Sequence, residues 1–335
     1  MQFDPIALHR SSLVLDAAAP LLRDRRWIGA YLAGGVDVLC PTICTNETAA
    51  QTLRTVGGWH RHIRGDDRLI LARSVADIET AKASGKAAVI LHAQGGDLLE
   101  NDVDLVDAFK ALGLGILQLT YNEKNRIGDG AGERTDSGLS HFGMKVIARC
   151  NEVGVVVDCS HTGARTTLEA MEVSTKPVVF SHANPKAVFD TARNITDEQI
   201  RAVAATGGLT GIVGFPAFIS ADAKPTLDRM IDHLAYVADL VGIAHVALGI
   251  DYFLGQSGVA DDATAIREYE GRLAEGRWRR ADYPAPPYHY PTGIEMPDKL
   301  PNLTVRMAER GFSEDDIRAV LGGNWMRVLR ACWGG

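Results

Sequence analysis

The sequence has no basic surplus: 35 Lys and Arg stand against 42 Asp and Glu, a net charge of -7. Nucleic acids and anionic membrane surfaces both call for a basic face, so neither is expected as the main partner. No apolar run approaches the ~20 residues of a membrane span. The opening MQFDPIALHR lacks the basic and apolar stretches of a secretory signal. Cysteine is sparse: the five residues Cys40, Cys44, Cys150, Cys159 and Cys332 form no CxxC pair. The CPTIC segment alone is too poor in ligands for a zinc knuckle. Buried, reduced thiols in a cytoplasmic protein are therefore expected. No linker or shift in composition divides the chain either. Hydrophobic residues make up 46% and charged residues 23%, values that suit a soluble protein with a sizeable core.

At about 150 residues per domain, 335 residues allow two domains, but a single α/β barrel takes the same length. The pattern favours the barrel. Short apolar runs recur at Leu13–Asp16, Val36–Cys40, Leu69–Ala72, Ala88–Leu91, Gly115–Leu119, Val155–Asp158, Val178–Phe180, Leu209–Val213 and Val246–Ile250. Most are continuous in polarity, as strands buried on both faces of a parallel sheet are. Helical patterns lie between them, at Asp104–Leu112, Phe142–Val153, Ala164–Glu172, Asp197–Thr206 and Leu227–Val241. Gly113, Gly154, Gly207 and Gly242 follow four of these helices as C-caps. Strand and helix alternating eight or nine times predict a (β/α)8, TIM-like barrel over residues 1–335.

One stretch, Phe253–Asn302, breaks the rhythm. It is rich in proline and gathers Trp278, Tyr283, Tyr288, His289 and Tyr290. A loop this long in a compact domain is a lid or binding loop in most cases; the alternative is an insertion packed outside the barrel. Helix returns at Leu303–Arg310, at Glu314–Leu321 with Ser313 as N-cap, and at Asn324–Cys332.

Residues at the C-terminal ends of barrel strands point into the active-site mouth. The first polar residues there are Asp16, Thr42, His92, Gln94, Tyr121, Asn122, Asp158, His161, His182 and Asp251. Three histidines with aspartate form a metal-ligating composition. His161 and His182 stand in the same context, each following Ser after an apolar strand, which marks them as a pair. His92 is a weaker candidate. His60, His62, His141, His233 and His245 are expected on the surface or in loops.

Several segments resemble the membrane dipeptidases, peptidase family M19 of the amidohydrolase barrels. They are VDCSHTG (157–163), PVVFSHANPKAV (177–188), ARNITDEQI (192–200), ALGIDY (247–252), LTYNEKN (119–125) and the closing stretch 300–329. The resemblance runs from about Leu13 to Trp333. It implies a two-zinc hydrolase whose first ion takes a His-x-Asp motif after the first strand and an Asp after the last. Two histidines hold the second ion, and a Glu bridges both.

This sequence departs from that pattern. LDAAAP puts Ala18 and Pro20 where His and Asp would stand, Gln94 replaces the bridging Glu, and Tyr121 replaces an active-site His. What remains is His161, His182, Asp251 and Arg193, the last matching the residue that holds the substrate carboxylate. A neutral amide cannot offset the repulsion of two dications. One divalent ion, zinc by family, is expected instead, on His161 and His182 with Gln94 or Asp251.

The expected activity is hydrolysis of a dipeptide-like amide in a small carboxylated substrate. Asp251 would be the general base if it is not a ligand, and Tyr121 a donor to the oxyanion. Arg193, Tyr121 and Asn122 would contact substrate; alternatively, Arg193 pairs at the surface with Asp190 or Asp197. A non-catalytic binding barrel and an enzyme of altered chemistry on a small metabolite are the competing readings. The sequence leaves a homo-oligomer open.

Overall fold

The computed structural model describes residues 3–334. Ten parallel strands form one curled sheet: β1 (Leu15–Ala19), β2 (Val38–Cys44), β3 (Leu69–Leu71), β4 (Ala87–Val89), β5 (Leu91–Ala93), β6 (Leu114–Gln118), β7 (Val156–Asp158), β8 (Val178–Phe180), β9 (Leu209–Ile212) and β10 (Val246–Leu248). From β5 to β10 each strand lies beside the next, while β2 pairs with β1, β4 and β5. Helices connect the strands, so this is an α/β fold of the TIM type. At the two ends of the order, the Asp251 N–H donates to the Ala18 carbonyl at 3.0 Å and the Leu21 N–H to Tyr252 at 2.8 Å.

The continuous apolar runs are explained by burial on both faces. Leu15, Val38, Ala88, Ile116, Val156, Val179 and Ala247 pack in one cluster. Their neighbours Val14, Leu39, Val89, Leu117, Val157, Phe180 and Leu248 pack in another, against the helices. The C-terminal helix, Asn324–Trp333, joins the first cluster through Trp325, Val328 and Leu329. There the Trp325 indole donates to the Leu248 carbonyl at 3.2 Å, which anchors this helix to β10.

Local chemistry sets the helix ends. Thr48, Ser74, Thr196 and Ser313 each form a reciprocal capping box with the residue three positions on. Gly154 ends its helix at φ 77°, a left-handed conformation that an L side chain would strain.

The 253–302 stretch is not a loop throughout. It contains the helix Asp262–Ala274. Trp278, Tyr283, Tyr288 and Tyr290 are all buried, packed into the main core rather than lying outside it. His233 also departs from expectation: it is fully buried in the helix Leu227–Val241 and bonds the Ile219 carbonyl at 2.9 Å. All five cysteines are free and buried. No described helix is long and apolar enough to cross a membrane.

Candidate active site

Four non-glycine residues among those described adopt positive φ: Glu100, Asn122, His161 and Asp251. Such backbone costs of order 1–3 kcal/mol and collects at functional sites. Three of the four follow the C-terminal ends of β6, β7 and β10: His161 and Asp251 line one cavity, and Asn122 bonds the His161 ring.

The centre is a close pair of histidines. His161 Nε2 and His182 Nε2 are 2.9 Å apart, both rings buried. His161 Nδ1 lies 2.7 Å from Asn122 Oδ1. That oxygen only accepts, so Nδ1 carries the proton and Nε2 keeps its lone pair. The Asn122 orientation is fixed because its Nδ2 donates to the Arg277 carbonyl at 2.9 Å and to Tyr283 at 3.0 Å.

His182 is set by a longer chain. Its Nδ1 lies 2.7 Å from Ser181 Oγ, whose proton goes to Asp158 in a very short bond. Asp158 also accepts from the Ser160 hydroxyl at 2.8 Å and from the Ser181 N–H at 2.9 Å. Burial opposes ionisation of Asp158, but the hydrogen bond and charge of His92, with His182 and Ser181, hold its pKa well below the usual carboxylate range. With the Ser181 proton committed to this carboxylate, His182 Nδ1 must donate to Ser181 Oγ. Its Nε2 is then bare as well.

Two imine lone pairs therefore face each other, a repulsive arrangement that a cation between them relieves. A proton is disfavoured there. Burial first, then Arg193, pushes the pKa of His161 well below its ordinary value. Burial does the same to His182 against the opposing charge of Asp158.

His92 is differently employed. Its Nδ1 faces the Ala17 carbonyl at 3.0 Å and its Nε2 faces Asp158 at 3.2 Å, so both ring nitrogens are engaged by protein oxygens and neither faces the histidine pair. Asn122 is likewise spent within the protein, which makes it an orienting group for His161. Tyr121 stacks on His161, with centroids 4.3 Å apart, and its hydroxyl accepts from the Trp278 indole at 3.2 Å. The phenol proton stays free to donate.

Asp251 lines the same cavity as Gln94, Tyr121 and His161. Burial raises its pKa to about 7, against the lowering influence of Arg193, Arg272 and Gln94. The Gln94 Nε2 is buried without a hydrogen-bond partner. Arg193 is buried and its Nε has no partner. Asp190 pairs with Lys186 at 3.2 Å and Asp197 accepts from Tyr236, so the surface ion pairs considered for Arg193 do not form. The space enclosed is ~30 Å³, one water's share of the liquid. Phe253, Arg272, Trp278 and Tyr283 supply its outer wall.

The fit to metal is partial. The two Nε2 lone pairs suit one ion, which at about 2.0–2.1 Å from each would spread them a few tenths of an ångström. No set of three His, Cys, Asp or Glu among the described residues forms a complete site. Ala18 and Pro20 offer no donor beside Asp251, so the residues do not fit a second ion. Sequence reasoning missed the Ser181–Asp158 relay and Arg272. Asp158 was visible as a strand-end carboxylate, whereas Arg272 sits in an ordinary charged helical pattern.

Comparison with known proteins agrees with this architecture. The family model for membrane dipeptidases (peptidase family M19) matches residues 32–282. An amidohydrolase structure from Pseudomonas aeruginosa superposes with a TM-score of 0.91 at 32% identity, covering 99% of this chain and 100% of that one. A metallopeptidase from Rhodobacter sphaeroides, liganded with a phosphinate mimic of L-Ala-D-Ala, shares the fold with a TM-score of 0.78 at 20% identity, over 96% of this chain and all of that one. An uncharacterized dipeptidase of Schizosaccharomyces pombe is 31% identical over 226 residues, 66% of this chain and 47% of its own length. A dipeptidase of Aspergillus oryzae is 29% identical over 291 residues, 84% of this chain and 61% of its own. The chain thus spans roughly half to three-fifths of these two curated relatives.

Fold and site define a TIM-type α/β chain with a buried histidine pair and a carboxylate at its strand ends. It belongs to the membrane dipeptidase family, peptidase family M19.

Proposed function

We propose that the protein is a metal-dependent hydrolase that cleaves a dipeptide-like amide in a small carboxylated substrate, using one divalent ion. The observation that carries this reading is the pair of bare imidazole nitrogens 2.9 Å apart beside Asp251. His161 and His182 would hold the ion, zinc by family, with the Gln94 carbonyl oxygen completing the protein donors. Such an ion supplies an acidified water and a polarised carbonyl. We also infer that the sheet closes as an eight-strand barrel, with β4 and β5 counted as one strand and β3 outside the ring. The hydrogen bonds from Asp251 and Leu21 across the seam support this closure.

The chain's own groups divide the remaining work. Asp251, with a pKa of about 7, accepts a proton from water at neutral pH and returns it to the leaving amine. Tyr121 donates its phenol hydrogen to the developing oxyanion. Arg193, whose Nε has no partner and which makes no ion pair among the described residues, offers its guanidinium to a substrate carboxylate. Water adds across the C–N bond, leaving a carboxylate and an amine. The 253–302 segment, which walls the cavity, must move for substrate to reach it, and this gives it the role of a lid.

The test is amine release from a panel of dipeptides and N-acyl amino acids by zinc-loaded protein. Arg193→Ala is expected to raise KM about ten- to hundred-fold, the value of a lost charged hydrogen bond. Arg193→Lys should recover part of that, because an ammonium cannot form two parallel bonds. Equal KM in all three proteins contradicts carboxylate binding at Arg193. Stoichiometric ligand binding without turnover of any amide would instead favour the binding-protein reading.

A further inference from the structure

Arg193 is not the only guanidinium beside this site with an unpartnered Nε. Arg272, from the helix Asp262–Ala274, also has a buried Nε without a partner. The acids around it are taken: Glu47 pairs with Arg23 at 3.2 Å, Glu275 with Arg277 at 2.9 Å and Glu270 with Arg280 at 3.0 Å. Glu268 faces only the outer vestibule, a space of ≈ 270 Å³ that Arg272 also lines. Arg272 therefore stands at the threshold between vestibule and inner cavity.

The two guanidinium groups are held in the same way. Arg272 lies over the rings of Phe253 at 4.7 Å and Trp278 at 4.9 Å. Arg193 lies over Phe218 at 5.2 Å. The rings form one continuous wall: Phe218 to Tyr283 at 5.5 Å, Tyr283 stacked on Trp278 at 4.3 Å, and Trp278 to Phe253 at 5.4 Å. One cation caps each end of that wall. Arg272 lines the same cavity as Asp251 and His161, and Arg193 lines an adjoining cavity that His161 also borders. Aromatic stacking fixes a guanidinium in place but does not neutralise it, and two positive charges that share only the distant Asp251 carboxylate and form no ion pair among the described residues call for anionic occupants.

We propose that the substrates of this site are dianionic amides, with one carboxylate bound at Arg193 and a second anionic group, on the other side of the scissile bond, bound at Arg272. This rests on the hydrolase reading for the bond broken, but the paired anion sites stand without it. Substrates of this class are N-acyl amino acids whose acyl chain ends in a carboxylate. A bare ammonium near Arg272 meets like charge.

The experiment has two arms. Calorimetric titration of zinc-loaded protein with succinate, glutarate, adipate and the monoanion butyrate reads anion pairing without turnover. At least one dicarboxylate should bind ten-fold or more tightly than butyrate, and Arg272→Gln should abolish the difference. Arg272→Lys should restore part of it, which separates charge recognition from a packing defect. In the second arm, N-succinyl-alanine should exceed Ala-Ala in kcat/KM by ten-fold or more, mainly through KM, with the advantage lost in Arg272→Gln. Equal binding of dicarboxylates and butyrate, or a preference that survives Arg272→Gln, overturns the proposal. An Arg272-dependent dicarboxylate preference with no hydrolysis keeps the proposal and removes the hydrolase reading.

Discussion

Asp16 is buried near the start of β1 with one oxygen accepting from the Ile250 N–H at 2.8 Å and the other unpartnered. Burial, reinforced by the charge of Asp251, raises its pKa to about 7. Between the unfolded value near 4 and this folded value, the native state holds the extra proton. The contribution to stability is full below pH 4 and is lost as pH rises through 7. Asn keeps the acceptor for Ile250 and cannot ionise. Asp16→Asn should therefore exceed wild type in stability at pH 8 by an amount on the order of a few kcal/mol, with the gap narrowing toward pH 5. Urea unfolding at the two pH values measures this. A gap of the same size at both pH values would mean that Asp16 is already ionised in the native state at pH 5, with its pKa unraised. At this scale the sequence showed the strand-end residues His161, His182, Asp251 and Gln94 through their position after apolar runs. It could not show the tautomers. Those depend on Asn122 and Ser181, whose partners come from elements far apart in the chain.

At the scale of elements, the nine apolar runs all became strands, because a fully buried parallel strand carries its pattern in its own residues. The run Ala88–Leu91 became two strands, β4 and β5, broken at Ile90; nothing in four consecutive apolar residues marks that break. The proline-rich stretch was legible as irregular but not as core, since its burial depends on what it meets. Trp278 shows what that contact is: it stacks on Tyr283, bonds Tyr121 and walls the cavity. Trp278→Ala should cost about 3–5 kcal/mol, as other large-to-small core changes do. It should also speed the exchange of bound butyrate. A loss below 1 kcal/mol in urea unfolding would show that the segment is only draped over the sheet, and excision of the whole segment would then be tolerated.

For the molecule as a whole, family and fold were readable from the motifs, while the proposal of a single ion rests on two sets of residues. Ala18 and Pro20 removed the donors beside Asp251, whereas Asn122, Ser181 and Asp158 still hold two imidazole lone pairs toward one point. A site for one ion is the account's central claim. The most direct measurement is the zinc content of protein purified and equilibrated with excess zinc, then dialysed, for wild type, His161→Ala and His182→Ala. One equivalent per chain in wild type and none in either variant is the predicted result. Two equivalents in wild type, or one retained by both variants, would contradict it.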